Sequence, residues 1–305
     1  MEQGYMVYIG TTCVDEYYTL HGAWPVEGDK FLTTYDGRAS GGMIANAASV
    51  MAGFGVKTFL LCQLFRDQDY DFLIQDLLNY NIDPSQIITL GEGRNTKCQI
   101  ITNKGERTIH IMLGSNKPKI SNEAILPVLS EASYIYSTIG NLEVFEDPVT
   151  LLAELHKAGV KVVFDIEPNG YIEDWRDYIP YCSIMFMNEF ALELFACGKD
   201  ARAFEQELLD CGVEIVVETL GGDGCRAVCR ECAVEVPACA VEVVDTTGAG
   251  DTFNSAFTYA IYSGKDLTAA CEFATAAAGR AVTLVGGRSG VTTVDVVEAF
   301  RAEHM

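Results

Sequence analysis

Short apolar runs alternate along the chain with longer stretches of helical periodicity. Eight runs have the length and composition of β-strands, at residues 7–10, 58–63, 99–102, 108–112, 134–137, 161–165, 184–187 and 215–219. Stretches with helical spacing, such as residues 148–158, separate several of them. This alternation is typical of a parallel sheet covered by helices on both faces. We therefore predict an α/β fold with a mostly parallel central sheet.

Two regions interrupt the alternation. Residues 11–40 and roughly 94–114 are polar, β-prone and rich in turn-forming residues. No internal repeat or low-complexity linker separates them from the rest of the chain. We expect both regions to form a small β lid that is inserted into one α/β domain covering residues 1–305.

The composition restricts the classes of partner. The formal net charge is −22, so contact with nucleic acid or an anionic membrane would be repulsive over most of the surface. No segment reaches the roughly 18 uncharged apolar residues that span a bilayer, and the first residues lack the basic region of a signal peptide. The eleven cysteines are an odd number, which favours reduced thiols over a disulfide framework. We expect a cytoplasmic protein that binds neither nucleic acid nor membrane.

The most specific motif is Asp-Thr-Thr-Gly-Ala-Gly-Asp-Thr-Phe-Asn at residues 245–254. The run 241–244 before it predicts a strand, and the apolar residues after it recur at helical spacing. Gly248 and Gly250 allow backbone amides to approach an anion at the N-terminus of that helix. Asp251 follows, where a carboxylate can accept a proton from a substrate hydroxyl. The alternative is that Asp251 only caps the helix.

A second glycine-rich segment opens another helix within residues 40–52. Gly41 and Gly42 precede a run of small residues and permit a ligand to approach the backbone closely. Asn46 lies about one turn into the helix and offers both a donor and an acceptor to a hydroxyl group. The alternative is a helix that packs tightly on the sheet, with Asn46 as an incidental polar residue.

The run 245–254 resembles the signature of the ribokinase family, the PfkB-type carbohydrate kinases. The segment 40–48 is similar to the first signature of that family, in which two glycines and the asparagine bind the sugar. The resemblance extends from Gly10 to the glycine-rich loop 286–290. It implies a ribokinase-like fold and an ATP-dependent phosphotransferase that acts on a hydroxymethyl-type alcohol of a sugar or sugar-like substrate.

The resemblance also implies a role for individual residues. The catalytic group is Asp251 with the turn Gly248, Ala249 and Gly250, and the amides of residues 249–251 stabilise the transferred phosphoryl group. The substrate is bound by Asp15, Gly41, Gly42, Asn46 and Asp251. The nucleotide is framed by Asn188, Thr219, Gly221, Gly222, Gly224, Gly248 and Gly250.

The implied cofactors are ATP, Mg²⁺ and, beside the anion-binding turn, K⁺. The family orients the water shell of magnesium with an Asn-x-x-Glu motif, but this chain has Asn188 followed by Ala191. Glu189 or Glu193 would then have to take that role. The implied potassium ligands are Asp245, Thr247, Gly287 and Ser289. The family resemblance further implies a homodimer formed through the lid.

Three alternatives stay open at this stage. The chain could be a nucleoside kinase of the same fold, with a base stacked on lid aromatics, namely Tyr17, Tyr18, Trp24, Phe31 and Tyr35. It could be a sugar or nucleotide sensor without catalytic activity: the retained Asp251 and Gly-Ala-Gly turn speak against this alternative, whereas Ala191 in place of the glutamate leaves it open. A kinase of phosphosugars is disfavoured, because the candidate basic residues for a phosphate are few: Arg38, Lys97, Lys104 and Arg107.

Overall fold

The computed structural model describes residues 4–104, 106–168 and 172–305, which form two β-sheets and ten α-helices. The strands are β1 (Met6–Ile9), β2 (Cys13–His21), β3 (Leu32–Gly41), β4 (Thr58–Phe65), β5 (Ile82–Asp83), β6 (Ile87–Leu90), β7 (Lys97–Asn103), β8 (Glu106–Met112), β9 (Tyr134–Ser137), β10 (Lys161–Ile166), β11 (Ile184–Asn188), β12 (Ile215–Thr219), β13 (Cys225–Val228) and β14 (Ala233–Val236). The helices are α1 (Met43–Gly53), α2 (Tyr70–Asn79), α3 (Asn122–Leu129), α4 (Ile139–Leu142), α5 (Pro148–Lys157), α6 (Glu189–Ala196), α7 (Ala201–Asp210), α8 (Ala249–Tyr262), α9 (Leu267–Ala281) and α10 (Val294–His304).

The central sheet has the strand order β14-β13-β12-β11-β10-β9-β1-β4-β5, and β6 also pairs with β4. All neighbours from β12 to β5 are parallel, whereas β13 and β14 form an antiparallel hairpin at one edge. Because parallel strands share a direction, the residues that follow β1, β10, β11 and β12 meet at one edge of the sheet. Ligands of open α/β sheets bind outside the carboxyl ends of the strands.

Helices cover both faces of this sheet, as predicted. Strand β1 shows the division most simply, because its side chains alternate between two hydrophobic cores. Met6 and Tyr8 lie in the core that contains α1, α8 and α9, whereas Val7 and Ile9 lie in the core that contains α5, α6 and α7. All four residues are at most 2% exposed. A strand that is buried on both faces therefore fixes the position of the segment after β1.

The second sheet, called the small sheet below, has the strand order β3-β2-β7-β8. Strand β2 pairs antiparallel with β3 and parallel with β7, and β7 pairs antiparallel with β8. These strands come from the two polar regions in which the sequence predicts a lid. Strand β3 ends at Gly41, directly before α1, so the small sheet stands next to the start of that helix.

A buried carboxylate attaches the small sheet to the main body. Asp69, which precedes α2, is only 1% exposed and forms ion pairs with Arg38 of β3 at 3.1 Å and with Lys97 of β7 at 2.7 Å. A carboxylate that is withdrawn from water requires such partners. The pairs therefore connect two separate strands of the small sheet to one loop of the central sheet.

The predicted and observed elements agree over most of the chain. Each of the eight predicted strand runs overlaps a strand, and the predicted helix 148–158 corresponds to α5. The predicted strand 241–244 is wrong, because this run forms no strand among the described residues. Val243 and Val244 are each more than half exposed, and the Val244 N–H donates to the carbonyl of Val282 instead of to a neighbouring strand.

Candidate active site

The turn before α8 depends on a glycine. Gly248 has φ 75° and ψ 6°, in the left-handed region, which residues with a Cβ rarely adopt. A Cβ at this position would also lie 2.1 Å from the carbonyl oxygen of Gly287. The turn 245–248 and the loop 286–290 therefore touch backbone to backbone, in a way that no larger residue at position 248 permits.

The first amides of α8 differ in whether they are already hydrogen-bonded. The Ala249 N–H donates to the Thr246 carbonyl at 3.2 Å, and the first helical bond runs from the Thr252 N–H to the Gly248 carbonyl at 2.9 Å. The N–H groups of Gly250 and Asp251 lie between these two bonds, where a helix leaves its amides without intrahelical partners. Three amides were expected to bind phosphate. That of Ala249 is already hydrogen-bonded to the Thr246 carbonyl, so those of Gly250 and Asp251 are the candidates for binding phosphate.

Asp251 is not the helix cap. The cap position is Gly248, and Asp251 is the third residue of α8. Its Oδ2 accepts a hydrogen bond from Nδ2 of Asn46 at 2.9 Å. Asn46 is 8% exposed and lies in α1, 205 positions earlier in the chain. The structure therefore brings together the two polar residues that the sequence identified separately.

The environment of Asp251 raises the affinity of its carboxyl group for a proton. Burial raises the pKa of Asp251 to about 8, the hydrogen bond from Asn46 opposes this rise, and the charges of Asp165 and Glu167 add to it. Asp165 is the last residue but one of β10, is 7% exposed and accepts a hydrogen bond from the Tyr136 hydroxyl at 2.8 Å. A carboxyl group with a pKa near neutrality is suited to accept a proton in a reaction at pH 7.

The predicted sugar ligands lie on the adjoining strands and helix. Asp15 is in β2, and a Cβ on Gly41 would lie 2.0 Å from its Oδ2. Gly42 has φ 98°, and a Cβ there would meet the Thr11 carbonyl oxygen at 2.3 Å. Neither position has room for a side chain, because neighbouring atoms lie too close to the backbone. Burial raises the pKa of Asp15, although hydrogen bonds from the thiols of Cys13 and Cys98 oppose this.

A cavity of about 370 Å³ connects these residues. It lies between the small sheet, the first turns of α1, helix α2 and the loop 286–290. Its lining comprises Asp15, Tyr17, Ala39, Ser40, Gly41, Asn46, Phe72, Asp76, Tyr80, Thr247, Val285, Gly286, Gly287, Arg288 and Ser289. Asp251 is one hydrogen bond away, through Asn46. The cavity is therefore the candidate sugar site.

One basic residue of this lining was missed by the sequence reasoning. Arg288 is 9% exposed, and its Nε donates to Oδ1 of Asn46 at 3.1 Å. The four basic residues proposed from the sequence do not line the cavity. Arg38 and Lys97 bind Asp69 instead, and Arg107 of β8 contacts the Thr247 hydroxyl. The glycines around Arg288 were noted as a loop, but nothing in the local sequence gave the direction of its side chain.

The aromatic residues proposed for stacking a base are mostly elsewhere. Tyr17 lines the cavity, whereas Tyr18 and Tyr35 pack on each other with ring centroids 5.5 Å apart. Trp24 lines a separate surface groove of about 610 Å³ at the far end of the small sheet, and Phe31 is 47% exposed. The aromatic walls of the cavity come instead from Phe72 and Tyr80, on α2 and just after it.

The predicted nucleotide residues lie together at the carboxyl edge of the central sheet. Asn188 ends β11 and is the register partner of Thr219, which ends β12. The glycines after Thr219 form a tight turn, in which Gly221 and Gly224 have φ values of 54° and 105°. A Cβ on Gly224 would lie 2.0 Å from the Val236 carbonyl oxygen of β14. Gly222 lies in the same turn.

The position that departs from the family motif is part of the core. Asn188 caps α6, with its Oδ1 accepting the Ala191 N–H at 2.8 Å. Ala191 is fully buried in the core beneath α6, whereas Glu189 is exposed in the first turn of the helix. Glu193 of the same helix is exposed as well, so solvent and ligands can reach both carboxylates, and Glu189 is the one in the first turn of α6.

The predicted potassium ligands fall on the two loops that touch at Gly248. Oδ1 of Asp245 accepts the Thr247 N–H at 2.9 Å and the Thr247 hydroxyl at 2.7 Å, and Oδ2 accepts the Gly286 N–H at 2.9 Å. Partial burial acts to raise the pKa of Asp245, but these bonds and the charge of Arg107 hold it below its usual value. The Gly287 carbonyl adjoins Gly248. Ser289 is turned away, with its hydroxyl donating to the Ala281 carbonyl at 3.1 Å.

Comparison with known proteins identifies this arrangement. Residues 5–294 match the sequence pattern of the pfkB family carbohydrate kinases. The chain is 25% identical to ribokinase from Bacillus subtilis over 275 residues, covering 90% of this chain and 92% of that protein. Among solved structures, it is similar to Arabidopsis thaliana ribokinase complexed with ribose and ATP, with a TM-score of 0.83, 22% identity and 98% coverage of both chains. It is also similar to an E. coli protein in complex with ATP and Mg²⁺, with a TM-score of 0.84, 21% identity and coverage of 99% of this chain and 100% of the other.

The fold and the carboxylate at a glycine-flanked helix start define a phosphotransferase of the ribokinase-like class. The chain belongs to the PfkB family of carbohydrate kinases. It is accordingly an enzyme that uses ATP to phosphorylate a hydroxyl group of a sugar or sugar-like substrate. No helix among the described residues is long and apolar enough to cross a membrane.

The raised pKa of Asp251 predicts a pH dependence of stability. Between its usual pKa of 3.8 and about 8, the folded protein binds this proton more tightly than the unfolded chain does. The contribution of Asp251 to stability therefore falls as the pH rises through this window. Urea unfolding of the wild type and of Asp251→Asn at pH 5 and pH 8 should show the wild type losing at least about 1 kcal/mol relative to the variant. Equal pH dependence of the two proteins would contradict the raised pKa.

Proposed function

We propose that the enzyme phosphorylates a hydroxymethyl-type alcohol of a sugar bound in the cavity, with Asp251 as the general base. The observation that carries this proposal is the hydrogen bond between Asn46 and Asp251. It joins a residue of the cavity lining to the carboxylate at the start of α8, next to the amides suited to a phosphate. Substrate hydroxyl, base and phosphoryl group can thereby meet at one point.

Different residues around the cavity bind different parts of the sugar. Asp15 accepts hydrogen bonds from sugar hydroxyls, and Asn46 offers its amide to another. Gly41 and Gly42 let the sugar approach the backbone, because neither adds a side chain at the start of α1. The small sheet acts as the lid, since β2 and β3 supply five of the lining residues. Closure of such a lid excludes water from the reacting groups.

Asp251 accepts the proton of the alcohol while the alcohol oxygen forms a bond to the γ-phosphorus of ATP. The bond between that phosphorus and the bridging oxygen of ADP breaks, and ADP leaves with the electron pair. The N–H groups of Gly250 and Asp251 stabilise negative charge on the transferred phosphoryl oxygens, aided by the positive end of the α8 dipole. Phosphoryl transfer needs mainly this positioning and charge compensation.

The carboxylates near the start of α8 fit a magnesium ion that arrives with ATP. Asp165 and Glu167 face Asp251 closely enough to raise its pKa, and carboxylate oxygens are the ligands that Mg²⁺ prefers. Glu189, exposed at the start of α6, is the residue we assign to the water shell of the ion. When bound, Mg²⁺ neutralises charge on the phosphates. Asn188, Thr219 and the glycine turn after it frame the nucleotide.

The experiment that tests the function is a screen for ADP release with ATP, Mg²⁺ and a panel of aldoses, ketoses, sugar acids and nucleosides. Turnover with a sugar supports the proposal. Turnover with nucleosides alone would favour the nucleoside kinase, for which the aromatic walls Phe72 and Tyr80 offer a stacking surface. Binding of a sugar without any ADP release would identify a sensor.

Replacing Asp251 by Asn separates the catalytic role from a structural one. The change keeps size and polarity but removes the proton acceptor, so kcat should fall by on the order of 10² to 10⁴. Asn caps a helix about as well as Asp, so a merely structural residue would lose little. The control measurements are the melting temperature and the ATP affinity of the same variant, which should be retained. Turnover close to that of the wild type would exclude Asp251 as the base.

We further propose that K⁺ binds between the turn 245–248 and the loop 286–290. Asp245, Thr247 and the carbonyl of Gly287 supply oxygen ligands, whereas the Ser289 carbonyl already accepts a hydrogen bond from Nη1 of Arg280 at 3.3 Å. An ion there orders the turn that carries the amides of α8. The rate should therefore be several-fold higher in KCl than in NaCl at matched ionic strength, and Asp245→Asn should abolish the difference. Equal rates of the wild type in both salts would remove the potassium site.

The small sheet also supports a homodimer with a second copy of this chain. Its edge strands expose large apolar side chains, namely Leu32, Tyr35, Ile109 and Ile111. Exposed apolar residues on unpaired edge strands are typical of surfaces that associate. Light scattering after gel filtration should therefore give twice the chain mass of 33.3 kDa. The double variant Ile109→Glu/Ile111→Glu should give the mass of one chain, and a monomeric wild type at micromolar concentration would refute the dimer.

We place the enzyme in the cytoplasm. All eleven cysteines are free thiols in the structure, as in proteins of reducing compartments. Cell fractionation followed by detection of the protein tests this location, and recovery from an oxidising compartment would contradict it.

A further inference from the structure

Arg288 has an unusual position for a charged side chain. Its side chain is 5% exposed and stacks over the Tyr80 ring, 4.8 Å from the centroid. Its Nε donates to Oδ1 of Asn46 at 3.1 Å, and its Nη1 is ion-paired with Asp76 of α2. Two of the three guanidinium nitrogens are thus bound by residues that, like Arg288 itself, line the 370 Å³ cavity.

The third nitrogen is different. Nη2 of Arg288 is buried and has no hydrogen-bond partner among the residues that the structure describes. A buried donor without a partner costs free energy, more so when the donor is charged. Such groups in native proteins call for an explanation, and a ligand is one. Because Arg288 forms part of the cavity wall, an oxygen atom of a bound substrate is the partner that its location offers.

The charges around Arg288 restrict the chemistry of that oxygen. Asp76 already compensates the guanidinium charge, so the arginine contributes a donor without an unpaired positive charge. Asp15 lines the same cavity, and Asp251 lies behind Asn46. A carboxylate or phosphate on the substrate would face the Asp15 carboxyl group, whereas a hydroxyl, carbonyl or ring oxygen carries no charge to be repelled.

We propose that Arg288 is a specificity-determining residue whose Nη2 donates to an uncharged oxygen of the substrate, while Asp76 keeps the cavity from selecting anions. The same arginine positions the base. Because its Nε holds Oδ1 of Asn46, the amide nitrogen of Asn46 is directed at Asp251. Substrate recognition and the orientation of Asp251 thus share one side chain. This inference rests on the function proposed above.

Replacing Arg288 by Met tests the contact with the substrate. The change keeps a long apolar stem but removes every donor. For the best uncharged substrate among D-ribose, D-fructose, ribitol and sorbitol, kcat/KM should fall by about 10- to 100-fold, as expected for a lost charged hydrogen bond. ATP affinity should be unchanged, since the nucleotide edge is formed by other strands. The variant Arg288→Lys should recover only part of the loss, because one amine cannot hold both Asn46 and Asp76.

Replacing Asp76 by Asn tests the compensation of charge. Because the variant lacks the carboxylate that neutralises the Arg288 guanidinium, its substrate preference should move toward anionic sugars. The matched pairs are ribitol with D-ribonate and sorbitol with D-gluconate, which have the same chain length and differ in charge. The ratio of kcat/KM for acid over alcohol should rise at least about ten-fold, which corresponds to about 1.4 kcal/mol. The control is Asp71→Asn on the same helix. This substitution changes the net charge by the same amount, but Asp71 is exposed.

The outcomes separate this inference from the proposed function. If uncharged sugars are phosphorylated but Arg288→Met keeps the kcat/KM of the wild type, Arg288 does not contact the substrate and the inference falls while the function stands. The role of Asp76 is refuted if Asp76→Asn leaves the ratio of kcat/KM for acid over alcohol unchanged. It is also refuted if the wild-type enzyme prefers the acids. If the wild-type enzyme releases no ADP from ATP with any sugar of the panel, the proposed function is refuted, and so is this inference.

Discussion

The hydrogen bond between Asn46 and Asp251 holds the active site together, and the packing of two helices makes it possible. Helices α1 and α8 approach closely because the buried residues of α1 are mostly small, and Oγ of Ser255 in α8 donates to the carbonyl of Ala47 in α1 at 2.6 Å. The Tyr8 hydroxyl of β1 contacts the same serine at 3.0 Å. The orientation of Asp251 therefore depends on hydrogen bonds in the core, made by residues outside the cavity lining.

The sequence predicts the central sheet well because its strands are buried on both faces. Such strands appear in the sequence as short apolar runs between helical stretches, and six of the predicted runs overlap strands of this sheet. The run 241–244 has the same composition but no neighbouring strand among the described residues, so Val243 and Val244 face solvent. Periodicity reports which side chains can share a face, but not whether a partner strand lies beside them. Strand β5 was not predicted because its two residues are too few to show a pattern, and β6 was also missed.

Some glycines of the site were predictable because the backbone conformation requires them. Gly42 and Gly248 have positive φ values, and close contacts leave no room for a side chain at either position. Arg288 was not predictable on these grounds. Its ion-pair partner Asp76 lies 212 positions away in the chain, and only the completed fold brings them together. Local geometry can be read from neighbouring residues, whereas contacts between distant side chains cannot.

The burial of Ala191 restricts which residues this position can hold. In this chain the position where the family carries its glutamate faces the core beneath α6 and is 0% exposed. Replacing Ala191 by glutamate would enclose a carboxylate among apolar side chains, at a cost on the order of several kcal/mol. A glutamate at this position would therefore be tolerated only if the residues packed against Ala191 also changed. The packing of α6 thus leaves Glu189 and Glu193 as the carboxylates of this segment that can point into solvent.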